Sequence, residues 1–164
     1  MSRSHFRIRS VEALAPYHLR LTYETGEEME VDISAPIYRI PLLFPLQDHA
    51  LFARAVVGEW GLTVTWGRDE LELAADNLFA RAVEQSGGVS HEMLWNWMHK
   101  NGLNLDTAAK ALGLSRRMIA YFRSGAKPIP KYVWLACVGW DCSRQQAPKK
   151  QRSDPQQTLL LKAG

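Results

Sequence analysis

Leu105 to Gly125 reads LDTAAKALGLSRRMIAYFRSG, and the way this stretch folds decides the architecture of the second half of the chain. Leu105, Ala108, Ala109 and Leu112 recur at helical spacing and predict a short helix stopped at Gly113, a residue that enters the left-handed conformation without steric cost. Ser115 caps a following helix that turns Met118, Ile119 and Phe122 inward and ends at Gly125. Ala109 is small where two helices must cross closely, and Gly113 supplies a tight turn between them. With Met118, Ile119 and Phe122 facing the core, Ser115, Arg116, Arg117, Ala120, Tyr121 and Ser124 are left facing outward.

That outward set has the chemistry of a recognition helix. A helix entering the major groove by its N-terminal end places Arg116 and Arg117 nearest the base edges. The forked donors of arginine match guanine O6 and N7, or equally a phosphate. Tyr121, one turn later, is placed to touch a base or a sugar. Arg123, Lys127 and Lys131, with Asn104 and the backbone N–H groups at the helix starts, are candidates for positioning contacts to phosphate.

At these residues the chain resembles the lambda-repressor-like, Cro/repressor-type helix-turn-helix family over Ser90 to Asp141, through the spacing Ala109-x3-Gly113-x5-Ile119. The resemblance implies double-stranded DNA as the ligand. Family members commonly open the second helix with a phosphate-binding glutamine, where this chain has Leu105 preceded by Asn104. They often end the recognition helix in Glu-x-Gly, where this chain reads Arg123-Ser124-Gly125.

Outward from this stretch the texture stays helical. Ser90 caps a helix running to Asn101 with Leu94, Trp97 and Met98 on one side, and Gly102 ends it. Pro128 and Pro130 precede a fourth helix carrying Val133, Trp134, Cys137, Val138 and Trp140. Residues 89–142 thus predict an all-α helix-turn-helix domain of four or five helices, followed by a flexible, basic, mostly polar tail over 143–164.

Upstream the period changes from helical to alternating. Phe6, Ile8 and Val11 to Leu14, then His18 to Tyr23, then Met29, Val31 and Ile33 after a turn at Thr25-Gly26-Glu27, predict three short antiparallel strands. Pro36, Pro41 and Pro45 exclude a long helix or a central strand from the segment after Ser34, which reads as a wrapped connection. Leu51 to Val56 predict one helical turn, and Gly61 to Trp66 a further strand. A helix capped by Asp76 follows over Asn77–Gln85, and Ser86-Gly87-Gly88 breaks the pattern as a linker. Residues 1–85 are read as a small α+β domain. Through LRLTYETGEEMEVD, FPLQDHALFARAVV, LTVTW and DNLF, spanning Phe6 to Arg81, this half is similar to the domain of unknown function 2442 family. That likeness implies a small protein partner, as in toxin and antitoxin arrangements, and a DNA-binding antitoxin or autoregulator.

The charge divides in the same place. Met1 to Glu84 hold 8 Lys and Arg against 13 Asp and Glu, net −5, and Gln85 to Gly164 hold 12 against 4, net +8. A basic second half favours a polyanion by counterion release. The 164 residues are 46% hydrophobic and 23% charged, which excludes wholesale disorder and fibrous repeats. No apolar run approaches the roughly 18 residues that cross a bilayer, and MSRSHFRIRS lacks the apolar stretch of a secretory signal, so a cytoplasmic protein is expected. Cys137 and Cys142, five positions apart in a helix, are expected as free thiols.

Several other features have plainer readings. Trp60, Trp66, Trp95, Trp97, Trp134 and Trp140 have the spacing of core packing rather than of a ligand cage. The acidic run Glu27, Glu28, Glu30 and Asp32 reads as a solvated strand face. His91, His99, Cys137 and Cys142 lack a short zinc clamp, so neither a metal nor another cofactor is expected. No serine or cysteine elbow, Gly-rich phosphate loop or catalytic carboxylate pair points to an enzyme. A single helix-turn-helix buries little surface, so a homodimer is expected. The competing reading is a protein-interaction module whose helical bundle binds no DNA.

Overall fold

The computed structural model describes residues 4–146, the side chains of 4 and 68–70 excepted. Strands β1 (Ile8–Leu14), β2 (His18–Tyr23) and β3 (Glu28–Asp32) form one antiparallel sheet with β2 in the centre. Alternation along β2 buries Leu19, Leu21 and Tyr23 while Arg20 faces out. The register sets Leu19 opposite Val31 and Leu21 opposite Met29. A slip of one residue would turn that whole set to solvent, so the apolar pattern fixes the pairing. On the outer face Arg20 reaches Glu12 at 2.9 Å and Glu30 at 3.8 Å, cross-strand pairs that partly neutralise the acidic surface.

The proline-containing connection wraps the end of this sheet as α1 (Ser34–Arg39), a 3-10 stretch at Pro41–Gln47 and α2 (His49–Phe52), which Asp48 caps by accepting from the Ala50 N–H. Strands β4 (Val56–Val57), β5 (Thr63–Trp66) and β6 (Arg68–Ala74) make a second antiparallel sheet with β5 central. The segment after Trp66, to which the sequence assigns no element before Asp76, is a strand in which Leu71 is buried and Leu73 packs against the core. Trp66 anchors the two layers, its indole N–H donating to the Phe52 carbonyl at 2.9 Å. Helix α3 (Ala75–Gln85) starts two residues before the expected Asn77. Ala74 occupies its N-cap, and the Asp76 carboxylate accepts only from the neighbouring Asn77 N–H.

Four helices follow: α4 (His91–Lys100), α5 (Leu105–Leu112), α6 (Arg116–Ser124) and α7 (Lys131–Gln146). They enclose a second apolar cluster built on Leu94, Trp97, Met98, Ala108, Ile119, Phe122, Val133 and Cys137. Burial pushes the Cys137 thiol up to about 12, so it behaves as a small apolar side chain. Helix α7 continues four residues past Cys142, so the segment expected as a tail begins inside a helix. The rest of that expected tail, 147–164, lies outside the described residues.

The sheet region and the helical region meet through packed side chains. Ser86 to Ser90 do not form an open tether: a Cβ on Gly88 would lie 2.9 Å from Val83 Cγ1, and Val89 makes an isolated antiparallel bridge with Ile129. Ser90 caps α4 by accepting from the Met93 N–H at 3.1 Å, and its hydroxyl donates to the Glu84 carboxylate. Phe6 is the wedge between the two regions. Its ring meets Phe79 edge-on at 5.2 Å and stacks on His91 at 4.5 Å. It also fills the space over Gly125, the left-handed C-cap of α6 with φ 77°. A Cβ there would fall inside contact distance of Phe6 Cζ.

Gly125→Ala therefore meets both a positive φ and the Phe6 ring, and is expected to lower unfolding stability by about 1–3 kcal/mol in urea titration. The loss should be smaller in a Phe6→Ala background, and an equal loss in both would contradict the wedge. Burial also holds the His91 imidazole below its ordinary pKa, against the opposing pull of Asp76 and Glu84. Since the unfolded chain takes the proton first, stability should fall as pH drops below about 6.5. Thermal melts of His91→Gln should show a weaker pH dependence over that window.

Candidate nucleic-acid interface

Asn104 begins the site with a reciprocal cap: its side-chain oxygen accepts from the Thr107 N–H at 2.9 Å while the Thr107 hydroxyl accepts from the Asn104 N–H at 2.9 Å. Helix α5 then runs two turns to Gly113, whose φ of 67° and ψ of 31° place it in the left-handed region. Leu114 donates back to the Ala109 carbonyl at 3.0 Å, and Ser115 caps α6 by accepting from the Met118 N–H at 3.2 Å. Ala108 and Ala109 are buried with Ile119 between the helices. Without a Cβ at Gly113 and with small residues at the crossing, the chain reverses in three residues and presents α6 from a rigid base.

The face so presented is cationic. Between Asn104 and Lys131 six Lys and Arg stand against one carboxylate, Asp106. Asn104, Ser115, Arg116, Arg117, Arg123, Ser124, Lys127 and Lys131 are exposed, and Ala120 and Tyr121 are half-buried. Arg117, Ala120, Tyr121 and Ser124 share one stripe by their spacing of three and four. Arg117 Nε donates to the Tyr121 hydroxyl at 2.7 Å, with the guanidinium carbon 5.3 Å from the ring centre. The Lys127 ammonium lies 5.0 Å from the same ring. Tyr121 thus organises two cations around one aromatic surface. The Ser124 hydroxyl donates to the Tyr121 carbonyl at 3.1 Å and so reinforces the end of the helix.

The remaining expected residues are drawn elsewhere. Arg116 turns toward α5, its Nε 3.1 Å from Asp106 Oδ1. Arg123 lies over Trp95 of α4 with 5.4 Å between guanidinium carbon and ring centre. Lys131 opens α7, and the Asn104 carboxamide oxygen is committed to its cap. Arg117 and Lys127 are therefore the expected cations that the fold gathers on another expected residue, the Tyr121 ring.

Two neighbours of this face were not anticipated from the sequence. Asp106 is ten positions from Arg116, a separation that no single-helix periodicity connects. Trp95, read as a core residue, is 50% exposed and stacked on His99. A signal for it existed: Trp95 and His99 are four apart and out of phase with Leu94, Trp97 and Met98. Trp60 departs from the core reading more strongly, 74% exposed on a left-handed turn, whereas Trp66 and Trp97 are buried as expected.

No described helix is long and apolar enough to cross a membrane. The fold defines a protein with an N-terminal antiparallel-sheet region followed by a helical region that exposes a basic helix after a tight turn. Residues 8–84 match the family described as protein of unknown function DUF2442. A crystal structure from Nitrosomonas europaea ATCC 19718, described as that of putative DNA binding protein NE0471, is similar with a TM-score of 0.79 and 48% sequence identity, over 91% of this chain and 95% of that one. The chain belongs to the same family as that Nitrosomonas europaea protein. No curated protein matches it.

Proposed function

We propose that the chain is a sequence-specific double-stranded DNA-binding protein of the cytoplasm, a transcriptional regulator or antitoxin-like autoregulator that acts by binding and not by catalysis. Helices α5 and α6 with the turn at Gly113 serve as a lambda-repressor-like helix-turn-helix, and residues 115–124 read the major groove. The observation that carries this reading is the Arg117–Tyr121–Lys127 cluster on the open face of a helix fixed at both ends, by Ser115 at its start and by Gly125 under Phe6 at its end. A planar fork held by a phenol is suited to base edges or phosphate, and a lysine behind it to the backbone. The name carried by the Nitrosomonas europaea relative supports the same ligand.

A single such helix contacts few base pairs, so a homodimer presenting two copies is part of the proposal. A second reading, contact with a partner protein, is favoured by one observation: Tyr38, Ile40, Leu42 and Phe44 are all exposed along the proline-containing wrap of the sheet region. Exposed large apolar side chains this close along one segment are candidates for a protein contact. The two activities are compatible in one chain, the sheet region taking the partner and the helical region the DNA.

Arg117→Ala should weaken specific binding by about 1–3 kcal/mol and relax preference at one or two base pairs. Lys127→Ala should weaken all duplexes alike and reduce the salt slope by about 1. Anisotropy titrations at several salt concentrations separate the two, and equal effects on random duplex would remove the base-reading role. Light scattering at micromolar concentration should give twice the chain mass of 18.6 kDa, and a monomeric mass would remove the dimer.

A further inference from the structure

The two arginines that open α6 are restrained in different ways. Arg117 is held by a neutral hydroxyl, whereas Arg116 is held by a charge, the carboxylate of Asp106 in the first turn of α5. We propose that Asp106 is a positioning residue for sequence discrimination, fixing the Arg116 guanidinium and repelling phosphate from the start of α5. This inference rests on the DNA-binding reading above and deepens it.

First, the side chains of Arg116 and Asp106 are 63% and 72% exposed, and an ion pair so open to water contributes little to folding. Second, the position works against simple phosphate affinity. The first turn of a helix, with its open N–H groups, attracts anions, and a carboxylate placed there offsets that attraction. Asp106 is also the sole acidic residue between Asn104 and Lys131, set within the surface that would face a polyanion. Third, the contact is made through Nε, the inner donor of the guanidinium, while recognition of guanine O6 and N7 uses a pair of donors in the fork. An unrestrained arginine reaches a phosphate as readily as a base edge. One tethered from behind loses many of those alternatives, while like charge at the interface penalises duplexes that offer no compensating base contact.

The plain structural alternative is that Asp106 only complements the α5 dipole. In that case its removal would shift the unfolding midpoint slightly and leave sequence preference unchanged. The test uses the full chain with two fluorescent probes at near-physiological salt: a random-sequence duplex pool, and a duplex enriched from that pool by repeated selection on the wild-type chain. Asp106→Asn should bind the pool about threefold to tenfold tighter, gain less on the enriched duplex, and so lower the ratio of the two affinities. Asp106→Glu, which keeps the charge, should retain most of the ratio. In an Arg116→Ala background Asp106→Asn should tighten both probes by the same factor, because nothing is left to position. An unchanged ratio in Asp106→Asn, with wild-type binding intact, overturns this inference alone. Absence of salt-dependent wild-type binding to either probe overturns the DNA-binding reading and the inference with it.

Discussion

The seating of Phe6 over Gly125 is the contact on which the arrangement of the two regions depends. An aromatic ring from the first turn of the chain, wedged against Phe79 and His91, lies where any residue but glycine at the end of α6 would intrude. Glycine is needed there twice over, for its left-handed φ and for its missing Cβ. The consequence is mechanical. The basic helix is pinned at its start by the Gly113 turn and at its end by the sheet region, so its exposed face is oriented with respect to the whole molecule. The sheet region and α6 therefore pack as neighbours through Phe6, Phe79, His91 and Gly125.

Much of the fold was legible because the apolar periods are clean. Leu19, Leu21 and Tyr23 alternate, Leu105 to Leu112 and Ile119 to Phe122 recur helically, and Gly113 and Gly125 punctuate where the backbone needs a positive φ. What escaped has physical causes. Strand β6 escaped because RDELELA carries charge at its start, and its pairing with β5 is a non-local property that propensity does not see. The start of α3 was misplaced because an acidic residue near a helix start resembles a cap whether or not it occupies the capping position. Helix α3 does end at Gln85, and the two glycines that follow serve differently: Gly87 takes a φ of 83°, and Gly88 sits where a Cβ would crowd Val83.

The site was legible as a set and illegible as a geometry. Every residue expected on the outer face of α6 is exposed or half-buried, since a helix with Ile119 and Phe122 inside leaves no other choice. Which of these side chains touch one another depends on helices that sequence alone does not orient. Arg123 over Trp95 and Arg116 beside Asp106 are contacts with α4 and α5. They divide an apparently uniform basic stripe into an organised centre, Arg117–Tyr121–Lys127, and two flanking arginines with partners of their own.

The central claim is DNA binding, and the direct measurement is a fluorescence-anisotropy titration of the full chain against random duplex and against the DNA upstream of its own gene, at low and near-physiological salt. The account predicts saturable binding with a steep salt slope, tighter on the upstream DNA. No binding at low salt would contradict it and turn attention to the exposed apolar side chains of the sheet region.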